Sequence, residues 1–96
     1  MSQHKYDYPD AGIKVTAGWD RPLGYLFLVV ENETSIPIYD NISDPRASNV
    51  QDTEHYKEVL RTLSIPVPEG FWLALEDDKV NNKGNECTRW TLDYTI

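Results

Sequence analysis

The side chains of this sequence that could catalyse a reaction or bind a metal most readily are His4, His55 and Cys87. Neither histidine is followed at three or four residues by a second histidine or a cysteine, although Glu58 lies three residues after His55. Those two would share one helix face, yet two ligands form only a weak metal site. Cys87 would need a neighbouring base to act as a nucleophile, and a lone cysteine more often packs. The sequence therefore indicates no catalytic residue, no metal and no cofactor.

Acidic side chains dominate the surface chemistry that the sequence predicts. Sixteen Asp and Glu residues oppose nine Lys and Arg residues, giving a formal net charge of −7. Nucleic acid and anionic membranes are bound by clusters of Lys and Arg, which the sequence lacks. We therefore expect neither as a direct partner and favour a basic protein surface.

The acids gather in two stretches. Residues 31–54 contain six acids and one base, and residues 76–78 are acidic throughout. An aromatic side chain beside such a stretch would anchor association, since Trp and Tyr dominate interface hot spots. The plain alternative is that loops are polar because they are solvated. The candidate binding residues are Glu31, Glu33, Tyr39, Asp40, Asp44, Trp72, Glu76, Asp77 and Asp78.

Trp72 is included because of its neighbour Phe71. Adjacent residues lie about 100° apart on a helix, so both rings cannot point to the middle of one core-facing stripe. One ring is then free to reach the surface. The alternative is that both rings belong to the core of a domain short of large apolar residues.

Hydrophobic periodicity predicts the elements that position these side chains. Residues 13–19 alternate between apolar and other side chains, residues 25–30 are apolar throughout, and residues 20–24 contain a proline and a glycine. This pattern predicts a hairpin. Residues 36–39 form a short strand at a sheet edge, because Pro37 cannot donate to a ladder.

Two helices and a last strand follow in the second half of the chain. Apolar residues recur at helical spacing between residues 52 and 64, and Pro68 suits the first position of a second helix. Residues 86–96 alternate again. We expect an α+β fold of order ββ(β)ααβ, with a three- or four-stranded, mainly antiparallel sheet and both helices on one face. Residues 1–11 are expected to be an extended N-terminal arm, and residues 12–96 a single α+β domain.

Localisation is inferred from cysteine use and hydropathy. One cysteine excludes an intramolecular disulfide and indicates a reducing compartment. The first residues have no apolar stretch like that of a signal peptide, and residues 25–30 are too short to span a bilayer. We therefore expect a cytoplasmic protein.

Three short motifs, Gly18 to Leu23 (GWDRPL), Val67 to Gly70 (VPEG) and Asn82 to Asn85 (NKGN), resemble a pattern in short bacterial proteins of the mobile-gene kind. The resemblance covers most of the chain, and its motifs look like turns and helix caps. It implies a bacterial protein and carries no activity with it.

The function that these observations favour is non-enzymatic binding through an acidic surface. One alternative is a mimic of nucleic acid that inhibits a host or mobile-element enzyme. Others are a small-ligand domain with a pocket lined by Trp19, Phe27 and Trp90, and an enzyme of unrecognised class. A homodimer is a further alternative.

Overall fold

The computed structural model describes residues 2–8, 12–32, 37–47 and 49–90. Those residues form five strands, two short 3₁₀ turns and two α-helices. In chain order the elements are β1 (Ser2–Tyr8), β2 (Ile13–Asp20), β3 (Tyr25–Glu31), β4 (Pro37–Asp40), the turns Asn41–Ser43 and Pro45–Ala47, α1 (Glu54–Thr62), α2 (Glu69–Val80) and β5 (Glu86–Trp90).

The strands form one mixed sheet in the order β4-β3-β2-β1-β5. Consecutive strands from β1 to β4 pair antiparallel, whereas β5 returns after both helices and pairs parallel to β1. A parallel neighbour needs such a long crossover connection. The α+β class is confirmed, but the expected three or four strands are too few, because the sheet has a fifth strand, β1, in the segment expected to be an arm.

Strand β1 occupies the segment that was expected to be an extended arm. Ser2, His4 and Tyr6 are buried while Gln3 and Lys5 between them are partly exposed, which is the period of two of a half-buried strand. Two of the three inward residues are polar, so this alternation is hard to see in the sequence. Residues 2–8 are therefore part of the sheet, and residues 9–11 lie outside the described residues.

The hairpin of β2 and β3 is confirmed. Gly24 N donates to Asp20 O at 2.7 Å, and Leu23 N donates to the Asp20 carboxylate at 3.2 Å. Gly24 has a φ of 72°, a conformation that glycine adopts without strain. The edge position expected for the strand with Pro37 is also confirmed, since β4 ends the sheet.

One face of the sheet carries the core. Ala17 of β2 lies between His4 of β1 and Leu28 of β3 in register, and all three are buried. Both helices pack on this face: the Phe71 ring of α2 contacts His4, and Tyr56 Oη of α1 donates to the carbonyl of Leu26 at 2.8 Å. The buried hydrophobic residues are Tyr6, Val15, Ala17, Trp19, Leu26, Leu28, Val30, Ala47, Val50, Tyr56, Leu60, Ile65, Phe71, Trp72 and Leu75.

Both helices begin and end close to where the sequence places them. The buried Tyr56 and Leu60 lie on the expected stripe of α1, and α2 begins directly after Pro68. The last strand is described as far as Trp90, so its expected continuation over residues 91–96 lies outside the described residues.

Candidate functional site

The first turn of α1 joins two parts of the chain that are distant in sequence. The backbone N–H of Thr53, the residue before α1, donates to the Glu76 carboxylate of α2 at 3.0 Å. Two residues later, His55 Nε2 lies 2.9 Å from Asp44 Oδ2. Because a helix N-terminus carries unpaired N–H groups and a partial positive charge, carboxylates are favourable there. The turn thereby brings together the two acidic stretches of the sequence.

Asp44 is the centre of a hydrogen-bond cluster with Tyr39 and His55. Tyr39 Oη donates to Asp44 Oδ2 at 2.6 Å, and Arg46 N donates to Oδ1 at 2.9 Å. The bond from Tyr39, then those from His55 and the Arg46 backbone, lower the pKa of Asp44 to about 2. An ionised carboxylate only accepts hydrogen bonds, so His55 Nε2 carries a proton.

Two tyrosines pack beside this carboxylate as fixed donors. Burial, followed by the hydrogen bond to Asp44, raises the pKa of Tyr39 above its ordinary value. Burial also raises the pKa of Tyr56, with a smaller contribution from the Asp44 charge. The two rings meet edge to face with centroids 6.5 Å apart. Both phenols therefore stay protonated at any physiological pH.

A groove of about 400 Å³ opens beside the cluster, between β4, the turns that follow it and α1. Its lining combines the apolar Ile38, Val59 and Leu63 with Tyr39 and His55. An imidazole oriented by a carboxylate can act as a general base when a nucleophile lies within hydrogen-bond reach. In this cluster the hydroxyl of Tyr39 is bonded to the carboxylate instead.

The thiol of Cys87 is placed away from both imidazoles. Cys87 is exposed in β5, which lies four strand spacings, or roughly 19 Å, from β4. Strand β4 is the one beside His55, since its Tyr39 and His55 both bond to Asp44. It pairs in register with Gln3, whereas His4 pairs with Thr88. Successive residues of a strand point to opposite faces, so His4 and Cys87 lie on different sides of the sheet. The described residues therefore do not assemble a thiol–imidazole pair.

The remaining acids of the first stretch lie around β3 and β4. Glu31 is half-buried at the end of β3, in register with Lys14 of β2. The Asp40 carboxylate accepts a hydrogen bond from Ile42 N at 2.9 Å and so caps the first 3₁₀ turn. Glu33 lies outside the described residues.

The three acids of the second stretch have different surroundings. Glu76 accepts the Thr53 N–H described above. Asp77 is exposed and accepts a hydrogen bond from Asn81 Nδ2 at 3.0 Å. Asp78 is only 4% exposed, and its carboxylate lies 2.6 Å from His4 Nε2. Asp78 is thus part of the interior and contributes no surface for a partner.

Sequence reasoning missed the buried network around His4. Trp90 Nε1 donates to His4 Nδ1 at 3.0 Å, so that nitrogen is unprotonated and the ring proton lies on Nε2, facing Asp78. The network connects β1, β5 and α2. Its partners stand 86 and 74 positions from His4, and the weak signal in the sequence is the polar alternation of residues 2–8.

Neither ring of the Phe71–Trp72 pair stands out from the surface. Phe71 is fully buried and Trp72 is 5% exposed, and the two rings pack edge to face at 5.3 Å. Exposed apolar side chains near the acids include Ile42, which is 83% exposed, and Leu73, which is 63% exposed, as well as Ile38 and Val80. Ile42 follows Asp40 by two residues, and Leu73 lies one helical turn before Asp77.

No family model, curated protein or solved structure matches this chain. The part of the chain that the structure describes contains no group of three or more His, Cys, Asp or Glu residues placed to hold a metal ion. Neither α1 nor α2 has the length and apolar run needed to cross a membrane.

Proposed function

We propose that the protein is a non-enzymatic binding protein that holds a basic protein partner on the surface around the first turn of α1. This α1-turn surface consists of Asp40, Asp44, Asp52, Glu54, Glu76 and Asp77. The observation that carries the proposal is the pair of contacts from Thr53 to Glu76 and from His55 to Asp44. They bring residues of two stretches that the sequence separates to the start of one helix, which supports treating them as one acidic surface.

Exposed apolar residues at both ends of this surface support the proposal. Ile42 lies beside Asp40 and Asp44, and Leu73 precedes Glu76 and Asp77 on α2. Protein interfaces combine a few apolar anchors with a polar rim, and the charges of the rim set the association rate and the choice of partner. A basic segment with its own apolar face matches this arrangement.

The test is a calorimetric titration of the protein with an amphipathic peptide of leucine and lysine. A scrambled peptide of the same composition serves as the control ligand. We expect the amphipathic peptide to bind more tightly, and its affinity to fall as salt rises, because exposed charges are screened. Equal binding of both peptides would show that charge alone is responsible and that Ile42 and Leu73 do not act as apolar anchors.

Variants locate the binding on the protein. Glu54→Gln combined with Asp77→Asn removes two exposed charges from the α1-turn surface, and we expect about a tenfold weaker affinity. Asp7→Asn combined with Glu86→Gln is the matched control, because it removes two exposed charges from β1 and β5. If both double variants weaken binding equally, the proposed surface is not the binding site.

A further inference from the structure

A second groove, of about 540 Å³, lies between the end of β1, the later part of α1 and residues 64–67. Its floor is apolar, since Leu60, Ile65 and Trp72 line it and are each at most 5% exposed. The half-buried Tyr8 also lines it. This volume is within the range of small-molecule sites, about 300 to 1,000 Å³.

Two cations stand at this groove. Lys57 and Arg61 both line it and are four residues apart, so they share one face of α1. The chain has a net charge of −7, so a pair of cations beside an apolar floor differs from its mainly acidic surface. The groove therefore offers an anion two cationic side chains, provided that the anion can replace their present partners.

The ion pairs that these cations make are weak enough to be replaced. Lys57 Nζ lies 3.9 Å from a carboxylate oxygen of Glu69, and Arg61 pairs with Glu58. Both carboxylates are well exposed. Exposed pairs of this kind contribute about 0 to 1 kcal/mol, so an incoming carboxylate can exchange with them at little cost.

Trp72 forms part of the apolar wall of the groove and also reports on it. The residue lines the groove and is 5% exposed. The other two indoles are hydrogen-bonded elsewhere, since Trp19 Nε1 donates to Asn82 and Trp90 Nε1 donates to His4. A ligand in the groove should therefore change the surroundings of Trp72 and leave those of Trp19 and Trp90 as they are.

We propose that this groove binds a small organic anion with an aromatic or branched apolar body. The carboxylate contacts Lys57 and Arg61, and the apolar body packs on Leu60 and Trp72. The site does not depend on the α1-turn surface. It also differs from the pocket lined by Trp19, Phe27 and Trp90 that the sequence suggested, because Trp19 and Phe27 lie on opposite faces of the sheet.

The experiment compares phenylacetate with its neutral amide, phenylacetamide, by NMR of the full chain. We expect phenylacetate to shift the indole N–H signal of Trp72 in a saturable way and to leave those of Trp19 and Trp90 unchanged. Phenylacetamide should bind about tenfold more weakly, because it keeps the ring and loses the charge. Equal affinity of the two, or no saturable shift at Trp72, overturns the proposal.

Variants test the role of the cations. Lys57→Gln combined with Arg61→Gln should weaken phenylacetate about tenfold and leave phenylacetamide unchanged. Lys79→Gln combined with Lys83→Gln makes the same change of charge at residues that do not line the groove. If that control weakens phenylacetate as much as the first pair does, the attraction is general and the groove is not the site. Folding of every variant is verified by its amide spectrum.

Discussion

At the scale of single residues, the carboxylates of this acidic protein are tied into defined hydrogen bonds. Asp44 accepts from a phenol, an imidazole and a backbone N–H, Glu76 accepts from the backbone of Thr53, and Asp78 faces the His4 imidazole. Charged acceptors of this kind form stronger hydrogen bonds than neutral ones. Part of the negative charge therefore stabilises the fold, and we propose that the rest serves to bind a partner.

Replacing Tyr39 by phenylalanine should raise the pKa of Asp44. The folded-state pKa is about 2, below the value of about 3.9 in an unfolded chain. Such a group contributes stability above pH ~4, and this contribution is lost as the pH falls towards 2. Tyr39→Phe removes the largest cause of the lowered pKa, so the pKa should rise towards 3.9 and the free energy of unfolding at neutral pH should fall by about 1 kcal/mol.

A carboxyl NMR titration measures this pKa directly. Tyr25→Phe is the control, since Tyr25 lies on β3 and makes no hydrogen bond to Asp44. An Asp44 pKa that stays near 2 in Tyr39→Phe would show that the cluster does not depend on the phenol.

Replacing His4 by phenylalanine should destabilise the protein strongly. The change leaves the buried Asp78 carboxylate without its donor and the Trp90 indole without its acceptor. We expect a loss of about 2 to 4 kcal/mol in urea unfolding, and partial recovery when Asp78→Asn is added. His55→Phe, at a partly exposed histidine, should cost about 1 kcal/mol or less. A loss equal to that of His55→Phe would contradict the network.

At the scale of elements, the sequence predicts the strands and helices in which apolar residues recur at one constant spacing. The hairpin of β2 and β3 and the stripe of α1 are of this kind, and the structure confirms them. Strand β1 was missed because its inward positions include the polar Ser2 and His4, whose partners belong to distant elements. Helix α2 is apolar on more than one side, since Leu73 is exposed while Trp72 and Leu75 are buried. Periodicity therefore could not decide where Trp72 points.

The close approach of β1 to β2 makes Gly18 a sensitive position. A Cβ on residue 18 would collide with the carbonyl oxygen of Ser2 and approach the Phe27 ring. We expect Gly18→Ala to lower the free energy of unfolding by about 2 to 3 kcal/mol, because backbone must move. Gly24→Ala, where a Cβ meets open space at a positive φ, should cost about 1 kcal/mol. Thermal unfolding compares the two, and a smaller loss for Gly18→Ala would contradict this packing.

At the scale of the whole molecule, α1 separates two surfaces of opposite charge. Asp52 and Glu54 lie at its start, and Lys57 and Arg61 lie further along it. This order follows the helix dipole, which favours acids at the first turn and bases towards the last. The α1-turn surface and the groove at Lys57 and Arg61 therefore lie at different positions along the same helix.

The candidate site could be predicted from the sequence only in part. The sequence indicates which residues are acidic, but not that Thr53 and His55 link the two stretches, since the chain topology sets that proximity. For the same reason it could not show that Asp78 is internal or that Cys87 and His4 lie on opposite faces of the sheet.

Mapping the amphipathic peptide on the unmodified protein by amide chemical shifts tests most directly whether the two acidic stretches act as one surface. We expect the amide signals of Ile42 and Leu73 to shift together, with a single dissociation constant. Shifts at only one of the two, or shifts centred on Thr16 and Val29 of the open sheet face, would contradict it.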